Sequence, residues 1–246
     1  MDRLIYTAMT GANAAAHRQA VLSNNLANVS TNGFRAELST YRAVPVTGDG
    51  ATTRVMAVEA TPGFLDIPGS PQRTGRAMDA MTTGNSWFAV QGLDGTEAYT
   101  RNGSFEVAQD GTLKTNNGLT VLSDGGAPIT VPEGGEVTLG IDGTLSAKVG
   151  NQPPAGIGRL KLATPTAEDP LKRGGDGLFR TTSGEPMAND AAARVQLGVI
   201  EGSNVNAIET MVSMIQTARQ FEAQTRLMQT AEADDRAAAQ LLSIQG

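Results

Sequence analysis

Between Asn206 and Ile244 the chain contains neither Gly nor Pro. Nothing else in the sequence restricts the fold as tightly. Some 40 residues at a 1.5 Å rise make about 60 Å of helix, well beyond what a globular core calls for. Asn206 with Glu209 three residues later forms a capping-box start. Ile208, Met211, Met214, Ile215, Ala218, Phe221, Met228, Ala231, Ala238 and Leu242 supply a broad apolar stripe, interrupted at Thr225 and Asp235. A helix of this length and pattern belongs in a coiled coil or a helical assembly.

A second helix is predicted at the chain start. Ile5, Ala8, Ala12, Ala15, Gln19, Leu22 and Leu26 alternate at spacings of 3 and 4, a seam with small residues in its middle. Alanines allow close axial approach but bury little surface. At about 0.8 kcal/mol per buried methylene, such a helix is poorly held by itself. It stops at "NNLANVSTNGFR" (24–35), where Asn and Ser compete for backbone hydrogen bonds and Gly33 permits a positive φ. The two helices can pair antiparallel only over the shorter one, about 37 Å for some 25 residues. The rest of the longer helix is left expecting other copies or other proteins.

The middle has a different composition. All 11 prolines and most of the 29 glycines lie between the helices, and the apolar runs are short. "WFAVQG", "SFEVAQ", "LTVLS", "PITVP", "EVTLGI", "LKLAT" and "GLFRTT" read as strands. Asp-Gly-Thr recurs at Asp94, Asp110 and Asp142, and Asp-Gly reads as a type I′ hairpin turn. A calcium loop is excluded because each turn offers one isolated carboxylate. The expected class is α+β, with long terminal helices pairing like a coiled coil around an inserted, mainly antiparallel β domain. The expected segments are an N-terminal helix and turn (1–35), an extended connector (36–80), a β-rich domain (81–200) and a C-terminal helix (201–246).

Composition removes several functions. Net charge is −6 and no Lys/Arg cluster occurs, so the basic face that nucleic acid requires is missing. Cysteine is absent, which excludes disulfides, thiolate nucleophiles and zinc-cysteine sites. No apolar run reaches the roughly 20 residues of a membrane helix. At the start, Asp2 offsets Arg3 and Thr7, Thr10 and Gly11 break the apolar stretch, so no cleaved signal is expected.

"SNNLANVSTNGFRAE" and "LGVIEGSNVNAIETMVSMIQTARQFEAQTRLM" resemble the paired terminal signatures of bacterial flagellar rod and hook proteins. "GNSWFAVQGLDGTEAYTRNGSFEVAQDGTLKTNNG" is similar to the β domain of that family's hook and upper-rod members. "MDRLIYTAM", "STNGFRAELSTYRAVPV" and the ending "QLLSI" look most like its proximal-rod branch. Asn24, Asn25, Leu26, Ala27, Asn28, Thr31, Gly33 and Phe34 match the N-terminal motif, and Glu201, Ser203, Asn204, Val205 and Asn206 the C-terminal one. Asn32 stands where some members have Pro, and Phe221 where distal-rod and hook relatives often have Tyr.

The resemblance implies a structural subunit of the drive shaft crossing the periplasm. Its helices would line the export channel and its β domain would face outward. It implies uncleaved export through the flagellar type III apparatus. The implied partners are other copies, lower proximal-rod proteins beneath and the distal-rod protein above. The assembly interface would use Ile5, Ala8, Ala12, Ala15, Leu22, Leu26, Ile208, Met211, Ile215, Ala218, Phe221, Met228 and Leu242.

Catalytic readings are weak. His17 is the only histidine and sits beside Arg18 within the predicted first helix, where a solvated side chain is the ordinary outcome. No pattern places two carboxylates opposite each other, and no phosphate loop or dinucleotide fingerprint occurs. No enzymatic activity, metal, cofactor or small-molecule substrate is expected. The alternatives are a distal-rod or hook-type subunit, and a secreted β-rich binding module with helical oligomerisation tails.

Overall fold

The computed structural model describes residues 2–47, 55–59 and 63–243. The chain divides into two compact units. The first holds residues 1–29, 36–65 and 205–246, and the second holds 30–35 and 66–204. These units do not coincide with the four segments read from the sequence. The stretch 36–80 is not one connector, because its first part pairs as strands within the helical unit.

The helical unit contains α1 (Asp2–Ala27) and α2 (Ala207–Ser243), about 39 and 56 Å long at 1.5 Å per residue. Both helices form where the uninterrupted spacing requires them. They run antiparallel: Gly11 faces the Gln224 amide, and the turn Ala15–Gln19 faces Thr217–Glu222. The N-cap is in place, with Asn206 Oδ1 accepting from the Ile208 and Glu209 N–H groups at 3.1 and 3.3 Å. The same unit carries two antiparallel ribbons, Tyr41–Pro45 with Val55–Glu59 and Glu37–Leu38 with Gly63–Phe64. Tyr41 donates its hydroxyl proton to the Ala14 carbonyl at 2.9 Å.

The β unit is antiparallel throughout its named pairings. Its largest sheet runs in the order Leu171–Arg173, Phe179–Thr181, Glu97–Thr100, Trp87–Gln91, Thr120–Val121, Leu113–Thr115, Phe105–Val107, with Leu162–Ala163 also on the Trp87 strand. A meander of Gly135–Leu139, Thr144–Val149 and Ala155–Arg159 forms a second sheet. Trp87, Phe88, Ala89 and Val90 are all fully buried. An antiparallel strand covered on both faces therefore reads as continuous apolar sequence instead of alternating. Phe88 and Phe105 meet edge to face at 5.1 Å within a core that includes Leu113, Leu145, Leu160 and Leu162.

Two readings are corrected. "PITVP" forms only isolated bridges at Pro128 and Thr130, because its two prolines bring no N–H groups to a ladder. The Asp-Gly turns are not type I′, since no non-Gly residue among those described has a positive φ. Instead one turn recurs at 92–96, 108–112, 115–119, 123–127, 140–144 and 174–178. In each, the first N–H donates to the fifth carbonyl, the fourth N–H donates back to the first carbonyl, and the fourth residue is a Gly at φ between 76 and 84°. That is a three-residue loop closed by a Gly bulge. In four of them Asp94, Asp110, Asp142 or Asp176 accepts the N–H two residues on, at 2.9–3.1 Å, which holds the Asp backbone in its ordinary conformation.

Candidate functional site

On α1, Ala8, Ala12 and Ala15 are buried and Ile5, Gln19, Leu22 and Leu26 are half-buried, so the predicted seam faces α2. The facing side of α2 is less apolar than its stripe. Thr210, Thr217 and Ala231 are the buried positions, seven residues or a multiple of seven apart, with Met214, Gln224, Met228, Asp235 and Ala238 half-buried along the same line. The threonines fit there because their hydroxyls bond back within the helix, Thr210 to the Asn206 carbonyl at 2.7 Å and Thr217 to Ser213 at 2.8 Å, leaving methyls for α1.

Ile208, Met211 and Ile215 lie on the other side, while Met214 and Met228 stay along the inward line. Ile208 is 76% exposed and Ile215 57%, with Met211, Ala218 and Phe221 also exposed. At 100° per residue, Ile208, Met211 and Ile215 point away from the Thr210–Thr217 line. Val212 and Leu227, absent from the sequence-based list, extend this exposed set, and Leu4, Tyr6 and Met9 do the same on α1. Ala15, Ala16, Gln19, Thr217, Ala218, Phe221 and Glu222 line a groove of about 360 Å³ along the helix pair. The side chain of Leu242 lies outside the described residues. The twelve described positions of the interface read from the sequence are thus spread over two surfaces, an internal seam and an outward face.

The N-terminal motif residues divide their work between the two units. Asn24 and Asn28 finish α1, Asn28 N–H reaching the Asn24 and Asn25 carbonyls at 3.2 Å. Leu26 is half-buried and Ala27 closes the helix exposed. Asn25 is buried and acts as a strand in miniature: its amide donates to the Glu37 carbonyl at 2.9 Å and accepts the Glu37 N–H at 2.8 Å. In the β unit, the Thr31 carbonyl accepts from Phe34 N–H at 3.3 Å, and Phe34 is buried with the Arg173 guanidinium 4.6 Å above its ring. Gly33, at φ 69°, packs so closely on the Arg101–Asn102 peptide that an added Cβ would lie 2.4 Å from it.

The C-terminal motif meets these residues. Gly33 N–H donates to the Glu201 carbonyl at 2.7 Å, and Asn204 N–H to the Phe34 carbonyl at 3.3 Å. The Asn204 amide donates to the Ile67 carbonyl at 2.9 Å. Ser203 and Val205 are half-buried, and Asn206 is the α2 cap. Glu201 is fully buried, bonded by Arg35 Nη1 and by Gly69 N–H at 3.0 Å, with Arg101 Nη1 3.7 Å away. Both guanidiniums lie over Trp87, at 5.7 and 5.0 Å from its ring centre. Arg35, Arg101 and Trp87 carry no role in the sequence reading. All three lie within the motif-bearing segments, but a lone Arg beside a turn gives no sign that it is buried.

Electrostatically the surface turns are ordinary capping sites. The Thr96 hydroxyl and N–H hold Asp94 below the usual carboxylate range, and Thr144 does the same for Asp142. Thr112 N–H lowers Asp110, and Arg180 lowers Asp176. Burial, reinforced by the hydrogen bond to Glu97, raises Tyr99, while Glu97 pairs with Lys161 at 2.7 Å. His17 is exposed on α1. Among the described residues no three His, Asp or Glu side chains converge as metal ligands, and no helix is long and apolar enough to cross a membrane.

Comparison with known proteins matches three successive stretches of the chain. Residues 5–35 match the family described as "Flagella basal body rod protein". Residues 81–147 match "Flagellar hook protein FlgE/F/G D1 domain", and 196–241 match "Flagellar basal body rod FlgEFG protein C-terminal". The flagellar basal-body rod proteins FlgF of Salmonella typhimurium and of Escherichia coli are each 44% identical over 253 residues, covering 99% of this chain and all of theirs. The flagellar basal-body rod protein FlgG of Buchnera aphidicola subsp. Schizaphis graminum is 31% identical over 250 residues, covering 93% of this chain and 95% of its own. With the terminal motifs, the β unit and these full-length relatives in agreement, the chain belongs to the flagellar basal-body rod protein family.

Proposed function

We propose that the chain is a structural, polymerising subunit of the rod, placed in its proximal part, and that α2 joins it to its neighbours. One observation carries the reading: Ile208, Met211, Val212 and Ile215 form an exposed apolar face on the side of α2 away from α1. A large apolar surface of that kind, on a helix whose other side is already paired, fits burial between subunits. Its occupants are further copies, lower proximal-rod proteins and the distal-rod protein. The FlgF name of the two 44% identical relatives, with the sequence's likeness to the proximal-rod branch, supports the proximal position. The subunit reaches the periplasm through the flagellar type III export apparatus and forms part of a hollow shaft that transmits torque and passes later subunits. It works by contact, without catalysis or a bound cofactor.

Replacing Ile215 by Asp is the test. The variant monomer keeps its β unit and its α1–α2 pair but is absent from isolated basal bodies, and cells carrying it lose motility. Normal incorporation of Ile215→Asp, alone and with Met211→Asp, overturns the assignment of this face.

A further inference from the structure

The β unit takes in the chain through residues 30–35, receives it again at 66–73 and releases it through 199–204. All three passages meet at one side chain. Glu201 Oε1 takes Arg35 from the first passage and Gly69 N–H from the second, at 3.0 Å, while its own backbone carbonyl holds Gly33 N–H at 2.7 Å. The surrounding hydrogen bonds tie the same passages, Gly202 N–H to the Ser70 carbonyl at 2.9 Å and Val199–Glu201 to Pro71–Arg73 as a ribbon. From the fixed body of the unit, Arg101 reaches toward Glu201 Oε2 at 3.7 Å and is itself anchored on Thr82 Oγ1 at 2.5 Å and the Gly84 carbonyl at 2.9 Å.

Charge makes this meeting conditional. Arg35 and Arg101 are both buried, and besides Glu201 the acid paired with Arg35 is Asp66, 3.7 Å from its Nε and 43% exposed. Arg35 Nε and Nη2, Arg101 Nε and Glu201 Oε2 find no hydrogen-bond partner among the described residues. Without Glu201, two guanidiniums would be buried side by side over Trp87 with too little negative charge to hold them. A buried ion of this kind is costly once its partner is removed. Arg35 and Glu201 stand 166 residues apart, so the early passage cannot complete its contacts until almost the whole chain is present.

From this we infer that Glu201 is the bolt of a latch that closes last, docking both ends of the β unit together onto a core that is folded without them. The core of Phe88, Phe105, Leu113, Leu145 and Leu160 contains no residue of the three passages. The latch gives the subunit a way to delay seating its first segment until its last has arrived. It does not depend on what the chain assembles with.

Amide hydrogen exchange on the full chain, comparing the native protein with Glu201→Gln, tests the latch. The expected result is exchange faster by on the order of 100-fold at Gly33, Gly69 and Gly202 together, with Val90 and Tyr99 in the core unchanged. Trp87, the only tryptophan, should change its fluorescence as the two guanidiniums lose their positions. Equal acceleration of Val90 and Tyr99 would mean that one cooperative core includes Glu201, and the latch would be overturned. Unchanged exchange at the three glycines, or acceleration at Gly202 alone, overturns it as well. Should Glu201→Gln fail to fold, Arg35→Lys keeps the charge but loses the Nη1 contact to Glu201 Oε1, and the same three-site pattern at smaller amplitude is required of it.

Discussion

The two units solve burial in opposite ways. In the β unit the largest apolar side chains go inward, with Trp87, Phe88, Phe105 and Leu113 all but sealed from solvent. In the helical unit alanines and threonines go inward, and Ile208, Met211, Val212 and Ile215 go outward. Apolar burial contributes about 25 cal/mol per Å², so the first unit supplies its own stability from within. The second is held by small side chains and leaves its best material for contacts with other chains. A unit that must stand alone and a unit that must join others can therefore be told apart by what they leave exposed.

The largest expected effect breaks the first half of that contrast. Phe88→Ala removes a fully buried ring from the core and should cost about 3–5 kcal/mol, read as a lower unfolding midpoint of the β unit in denaturant. The α2 helix then gives a sharper comparison across two residues of sequence. Thr217→Asp puts a carboxylate into the Ala-lined seam and should weaken the α1–α2 pair by about 2 kcal/mol, seen as faster amide exchange along both helices. Ile215→Asp, despite the larger loss of hydrophobicity, should change monomer stability by no more than about 0.5 kcal/mol. A reversed order would show that the exposed face is the structural one.

The smallest effect concerns the β turns and acid. Asp94, Asp110 and Asp142 have folded pKa values below their unfolded value of about 3.9. Depressed carboxylates contribute stability that is present above the unfolded value and is lost as pH falls through the folded value. The β unit should therefore weaken progressively below about pH 4, and Asp94→Asn with Asp142→Asn should flatten that slope. Denaturation midpoints followed from pH 5 to pH 2 measure it. An unchanged slope would remove these turns from the acid response.

Much of this architecture was legible because it is local. The seam on α1 followed from spacing alone, and Ala8, Ala12 and Ala15 are buried as that spacing requires. The Asp-Gly sites were recognisable as turns, although their form was not. Type I′ and the Gly-bulge loop share the dipeptide, and the choice depends on hydrogen bonds to the residues on either side. The strand Glu97–Thr100 was missed because "EAYT" is short and half polar, yet Tyr99 is buried there with its hydroxyl bonded to Glu97 and its oxygen accepting from Met187 N–H. On the long helix the stripe was visible but its inward side was not, since Thr210 and Thr217 look polar until their hydroxyls are seen bonded to their own helix.

By itself, the sequence determined where α1 stops and α2 begins, that a β-rich segment lies between them, and that the ends carry more apolar surface than they can bury together. Periodicity, capping and turn chemistry act over a few residues, so a single chain displays them openly. Only the tertiary structure decided which face of α2 turns inward, and that Asn25 holds Glu37 as a strand would. It alone joined Arg35 to Glu201. Those choices rest on desolvation and close fit between residues far apart in the chain. The alanine-lined α1 accepts a threonine-sized neighbour, and a buried carboxylate is tolerable only where guanidiniums from elsewhere in the fold converge on it.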